Sequence, residues 1–338
     1  MTLGAVSFRV FMKAMIHLKK TLLTVFVTAM ITILLTTTAL CTGIAYLVGS
    51  FFVDMALRRG TATNPDAPPA VFRSAIEGNG QNILSASKPD FDAEDWTLQS
   101  FDGLSLCATH FKPKKSSHRW VLLLHGYGLS KEHAWHYSKE YLTHNYHIVT
   151  PDLRACGDSE GQYITMGAFE AKDVADWTRR IVEKDPQARI VLHGVSMGAA
   201  AVMLAEGENL PHNVVAVVED SGYADAYSLF ATEIDKILSI PPYPLLDFVD
   251  LICEHRAGFS FRKARPLDAV RNSSLPTLFI HGTADRLVPF AMMQQLYDAS
   301  PSYSKEKLVI DKNGHGALYQ AKNYFPTVLS FTDKWTEK

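Results

Sequence analysis

Ser196 stands in Gly194-Val195-Ser196-Met197-Gly198, directly after the apolar run Ile190–Leu192 and ahead of small residues at Ala199, Ala200 and Ala201. A strand that turns sharply into a helix strains the residue at the apex and lifts its side chain clear of the sheet. Glycines two positions to either side are needed because side chains there collide across the turn. A serine hydroxyl is a poor nucleophile near neutral pH, so it requires a base within hydrogen-bond reach and a group that orients the base. His315 fits the first role: it follows the last apolar run, between Gly314 and Gly316, which suit an exposed loop. Asp285 fits the second, in the stretch His281–Pro289 that follows the run Thr277–Ile280.

Acyl transfer also needs N–H donors aimed at the developing oxyanion. Met197, the residue after the nucleophile, offers one backbone N–H. Tyr127, in His125-Gly126-Tyr127-Gly128 after the run Trp120–Leu124, offers the other. Its side chain is expected to line the leaving-group side. Asp220 is the second choice of acid, whereas Asp311 lies too near His315 in sequence to face it across a loop. His125, His193 and His281 each end a strand and read as structural. His136, Glu140 and His144 recur at helical spacing and could mimic a metal stripe, but a solvated helix face explains them more simply. Cys41, Cys107, Cys156 and Cys253 show no CxxC spacing, which argues against a zinc site and a disulfide framework. No metal and no cofactor are expected.

These groups need a scaffold that brings distant segments together. Trp96 and Leu98, then Leu104, Leu106 and Ala108, alternate around Asp102-Gly103 and predict a hairpin. Continuous apolar runs follow at Trp120–Leu124, His147–Thr150, Ile190–Leu192, Val214–Val218, Thr277–Ile280 and Lys307–Ile310, with helical patterns such as Ala168–Val182 and Ser196–Ala205 between them. Unbroken apolar strands alternating with helices predict an α/β fold, a mostly parallel twisted sheet covered on both faces. The catalytic domain is placed at 91–338. An apolar insertion at about 221–265 reads equally as a cap beside the site or a helix pair on the sheet edge.

The N-terminal third has a different character. From Thr21 to Val53 no charged residue occurs, long enough for a transmembrane helix. A cleaved signal peptide would be shorter, and Leu40 before Cys41 does not suit a lipoprotein site. The chain therefore divides into a basic segment at 1–20, an anchor at 21–53 and a Pro- and Gly-punctuated linker at 54–90, with a short helix expected at Ala70–Ile76. Arg9, Lys13, Lys19 and Lys20 favour an N-terminus inside, hence a single-pass protein with an extracytoplasmic catalytic domain. Removal of residues 1–55 is expected to release a soluble, active domain. A net charge of −2 across 338 residues gives no electrostatic case for nucleic acid.

The segments His125–Gly128, Asp152–Gly161 and Gly194–Gly198, with Asp285 and His315, together resemble the α/β-hydrolase superfamily, especially single-span bacterial esterases and serine-aminopeptidase-like hydrolases. The Asp152–Gly161 segment departs from the usual R-G-x-G-x-S by carrying Ala155-Cys156 before Gly157. The resemblance spans about residues 92 to 336 and implies the chain order Ser, Asp, His. It does not fix the substrate; the leading reading is a small-molecule ester or acylated substrate cleaved through an acyl-enzyme. Alternatives are a serine aminopeptidase or acyl-peptide hydrolase and, from another class, a scaffold with a relic triad.

Overall fold

Helices on both sides of a sheet demand strands that are apolar on both faces, and the continuous runs meet that demand. The computed structural model describes residues 3–60, 85–316 and 318–337. Its strands are β1 (Ala93–Gln99), β2 (Ser105–Phe111), β3 (Arg119–Leu124), β4 (His147–Pro151), β5 (Arg189–Val195), β6 (Val214–Asp220), β7 (Thr277–Gly282) and β8 (Glu306–Ile310). They form one sheet in the order β1-β2-β4-β3-β5-β6-β7-β8. The expected hairpin is present, with Trp96 opposite Ala108 and Leu98 opposite Leu106. β2 meets β4 antiparallel, and from β4 to β8 every pairing is parallel.

Alternate residues of each central strand enter different cores. Leu122, Ile190, Leu192, Val217 and Phe279 pack with α3 (Glu170–Lys184), α4 (Met197–Ala205) and α8 (Phe290–Ala299). On the opposite face, Val121, Leu123, Val191, Val218 and Leu278 pack with α2 (Lys131–Thr143) and α9 (Tyr324–Thr336). The site groups are carried where the parallel strands end, the usual place for function in such sheets.

Between β6 and β7 the insertion forms α5 (Ala226–Leu238), α6 (Leu245–Ala257) and the short α7 (Pro266–Val270). Phe230 meets Phe261 with ring centroids 4.4 Å apart. Asp250 takes the Ser260 hydroxyl at 2.8 Å and the Phe261 N–H at 2.6 Å. The insertion thus has internal packing and stitching of its own.

The long helix α1 runs from Leu3 to Leu57, and the chain divides into compact units at Met1–Phe51 and Phe52–Lys338. In the first unit the helix carries a stretch of mean hydropathy 2.0 with its side chains outside any core. Thr21, Thr24, Thr32, Thr36 and Thr38 return their hydroxyls to carbonyls four residues earlier, which satisfies them without water.

The last turns of α1 belong to the second unit. Val53 and Leu57 are fully buried there. The stretch from residue 54 to 59, expected as the start of a linker, is instead helix followed by a bridge from Arg58 to Tyr163. An apolar pattern cannot distinguish a face that would meet lipid from one that meets a protein core, so the expected anchor and the packed segment read as one run. The helix expected at Ala70–Ile76 and the rest of the linker to 84 lie outside the described residues.

Candidate active site

β5 delivers the serine. Ser196 follows its last residue with φ 56° and ψ −115°, a backbone few non-glycine residues tolerate. A Cβ at Gly194 would strike the Gly198 carbonyl, and one at Gly198 would lie 2.6 Å from the His125 carbonyl oxygen. The Ser196 N–H is held by the Asp220 carbonyl at 2.7 Å, which locks the turn onto the end of β6.

The loops after β7 and β8 bring in the remaining groups, and their backbones are stapled together. Thr283 N–H donates to Ile310 O at 3.1 Å, and Ala284 N–H donates to Asn313 O at 2.9 Å. Across that staple His315 Nδ1–H donates to Asp285 Oδ2 at 2.7 Å. Nε2 is then left as an acceptor for the Ser196 hydroxyl, 2.9 Å away. The three residues anticipated from the sequence therefore meet in the expected order of contact.

The Asp285 carboxylate is fixed from both sides. Its Oδ1 accepts the N–H groups of Leu287 at 2.9 Å and Val288 at 2.8 Å. Burial works to raise its pKa, yet the charge of His315 and the bonds from His281 and His315 hold it well below the usual carboxylate range. His315 is buried, which opposes a charged imidazole, but the charge and hydrogen bond of Asp285 outweigh this and raise its pKa. Asp220 and Glu233 push in the same direction.

The rival groups are occupied elsewhere. Asp220 takes the hydroxyls of Tyr324 at 2.7 Å and Ser221 at 2.8 Å. Asp311 accepts from the Thr283 hydroxyl at 3.0 Å. His193 lies between the hydroxyls of Tyr141 at 2.9 Å and Tyr324 at 3.2 Å, and burial drives its pKa down to about 3. In the helical stripe, His136 stacks on Tyr319 and His144 Nδ1 turns to the Glu140 carbonyl.

Of the two backbone N–H groups selected as donors, Met197 supplies the first amide of α4, which has no intrahelical acceptor. Tyr127 lies on the loop whose Gly126 would place a Cβ 3.5 Å from Ser196 Cβ. His125 supports that loop: Nδ1–H donates to Gly126 O at 2.7 Å and Nε2 accepts the Leu153 N–H at 3.0 Å. Burial lowers its pKa to about 4, consistent with that neutral tautomer.

The expectation for the Tyr127 side chain fails. The ring is buried rather than lining the site, and its hydroxyl donates to the Ala56 carbonyl. One further contact escaped sequence reading. His281 Nε2 lies 3.2 Å from Asp285 Oδ2, and its strand-end position alone gave no sign of this contact. Glu233 is buried on α5, and Lys236 joins it at 2.8 Å while donating to the Arg286 carbonyl at 2.7 Å, one residue past Asp285. This clasp ties α5 to the acid loop.

Comparison with known proteins follows the same outline. Residues 121–325 match the Alpha/beta hydrolase family. The protein YqkD of Bacillus subtilis (strain 168) is 24% identical over 263 residues, which take in 77% of this chain and 85% of the relative. Lysophosphatidylserine lipase ABHD12 of Macaca fascicularis is 28% identical over 196 residues, covering 56% of this chain and 47% of the relative. Among solved structures, the Pyrococcus furiosus esterase Pf2001 superposes with a TM-score of 0.61 at 21% identity, covering 75% of this chain and 96% of the esterase.

Proposed function

Since the chain belongs to the α/β-hydrolase family, we propose that it is a membrane-anchored serine hydrolase that cleaves carboxylic esters through Ser196, His315 and Asp285. The observation that carries this reading is the unbroken line Ser196 Oγ, His315 Nε2, His315 Nδ1, Asp285 Oδ2, with steps of 2.9 Å and 2.7 Å across the ring.

Ser196 Oγ attacks the acyl carbonyl carbon while its proton passes to His315 Nε2. The oxyanion is received by the N–H groups of Met197 and Tyr127. Collapse breaks the ester C–O bond, and the departing alcohol takes the proton from Nε2. Water then adds to the acyl-enzyme with His315 as base, releasing the acid and restoring the serine. Asp285 keeps the proton on Nδ1 and stabilises the imidazolium without accepting that proton. The lipase named among the relatives favours an ester, and the apolar insertion would supply the acyl pocket.

An amide-cleaving reading is favoured by one observation. Glu233 is the buried acid of α5 whose charge reaches His315, so a free amino terminus could be received there. The helix α1 supports a single membrane span, and the basic residues in its N-terminal part, ahead of the uncharged run, support an extracytoplasmic catalytic unit.

A fluorophosphonate probe should label the full-length protein in the membrane fraction and leave Ser196→Ala unlabelled. p-Nitrophenyl esters of graded chain length should turn over faster than aminoacyl anilides. Strong labelling of Ser196→Ala would move the nucleophile elsewhere, and faster anilide cleavage that is lost in Glu233→Gln would reverse the order of the two readings.

A further inference from the structure

A helix ends with backbone carbonyls that have no partner inside it. At the end of α1 these are satisfied by the catalytic unit. Leu57 O accepts the Ile164 N–H at 2.9 Å, and Ala56 O accepts the Tyr127 hydroxyl. The next residue, Arg58, bridges Tyr163, and Arg59 donates its N–H to Gln162 O at 2.9 Å. The Arg59 guanidinium reaches the carbonyls of Gly157 and Ser159. On the other side Asp54 pairs with Arg256 of α6 at 2.9 Å and receives the Tyr163 hydroxyl at 3.2 Å.

The segment from Val53 to Arg59 therefore touches the loop beside Ser196, 125–128, through Tyr127, and also the loop 152–163, through that loop's backbone. His125 already links those loops by way of Leu153 N–H. Tyr127 contributes at both ends, with its amide at the site and its hydroxyl against Ala56. An aromatic side chain has few torsions, so fixing its far end also fixes how its own backbone sits. An oxyanion donor is useful only when held close to its productive position.

We infer that the Val53–Arg59 segment is a positioning element for the oxyanion loop, acting through the bond from the Tyr127 hydroxyl to the Ala56 carbonyl. The inference rests on the esterase reading and on Tyr127 as an oxyanion donor. It makes the end of α1 part of the catalytic apparatus, although it touches no substrate.

The test uses the full-length chain. Tyr127→Phe keeps the ring and removes the anchoring hydroxyl. Its kcat on a p-nitrophenyl ester should fall about tenfold, less than the loss of a whole donor, with KM within about twofold. Affinity for an alkyl boronic acid, which mimics the tetrahedral adduct, should fall by the same factor. Leu57→Ala loosens the segment without altering either loop and should move kcat and boronate affinity in the same direction. The double variant should then lose less than the product of the two. Should Tyr127→Phe fail to fold, Leu57→Ala carries the same readouts alone. Unchanged kcat and boronate affinity, or a lower melting temperature with kcat intact, would reduce the bond to packing and overturn the inference. Ester hydrolysis that survives Ser196→Ala would instead overturn Ser196 as the nucleophile, and absence of ester hydrolysis in the parent chain would overturn the esterase reading, whatever Tyr127 does.

Discussion

Asp220 ends β6 and Asp285 follows β7, and each belongs to a network with a buried histidine. Asp285 touches its imidazole directly, at 2.7 Å. Asp220 reaches His193 through Tyr324, whose hydroxyl lies 2.7 Å from the carboxylate and 3.2 Å from the ring. The first histidine has its pKa raised, while burial takes the second down to about 3. One neutral hydroxyl between acid and imidazole separates the outcomes. Burial alone makes a histidine inert, and it becomes a base only where a charge is set beside it and a hydroxyl lies on its other nitrogen.

The contrast breaks most severely at its acids. Asp285→Asn should lower kcat by roughly 10⁴-fold, because Nδ1–H loses the acceptor that fixes the tautomer. Asp220→Asn should cost less than about tenfold, since no bond joins Asp220 to His315 among the described residues. Steady-state kinetics of the two variants side by side decide the assignment. A larger loss from Asp220→Asn would exchange the two roles.

A pH profile sharpens the same comparison. In the proposed mechanism the neutral form of His315 is the base, and its pKa is raised above the ordinary 6.5. The acid limb of kcat/KM should therefore have its midpoint above 6.5 and move lower in Asp285→Asn, measured on whatever activity that variant retains. Stability should respond in the opposite sense. His193, at about 3, and His125, at about 4, stay neutral in the fold below the pH at which they protonate when unfolded. The unfolded chain thus binds more protons between about 6.5 and 4, and stability falls as pH drops through that window. Any extra stability from His315 runs the other way, being present at low pH and lost above its raised pKa. Buried acids such as Asp173, raised to about 7, and Glu206, raised to about 8, act oppositely, so the histidine's share is read by difference: the change in urea midpoint from pH 7 to pH 5 should be less unfavourable in His193→Asn than in the parent chain.

The smallest effect on catalysis is expected at Tyr324. Tyr324→Phe strips a donor from buried Asp220 and a partner from His193, and should cost roughly 1–3 kcal/mol of stability. kcat should stay within about threefold. Denaturant titration together with kinetics would show whether this second network serves packing alone.

What the sequence revealed and what it hid follow from range. The turn at Ser196 is specified by residues two positions away, and the central strands by their own apolar runs, so both were legible. The pairing of β4 between β2 and β3 leaves no local mark. The same holds for the Tyr127 hydroxyl, whose acceptor lies 71 residues away in sequence. The Tyr127 side chain was expected to line the leaving-group side, and nothing nearby in sequence indicated that the ring turns inward. Val53 and Leu57 were read with the anchor because lipid and protein core ask for the same side chains. A cut at residue 55 would accordingly remove part of the packed segment, whereas a chain beginning at Phe52 keeps it whole.

His315 sits on the loop that follows β8, and β8 is an edge strand, paired among the described residues with β7 alone. The serine turn forms from neighbouring residues, but the histidine beside it arrives from 119 residues further along the chain. On the proposed mechanism, a polypeptide whose sheet has closed only as far as β7 carries Ser196 without its base. Reactivity toward a fluorophosphonate is therefore expected only once β8 has joined the sheet. The rate at which labelling appears during refolding times the closure of that edge.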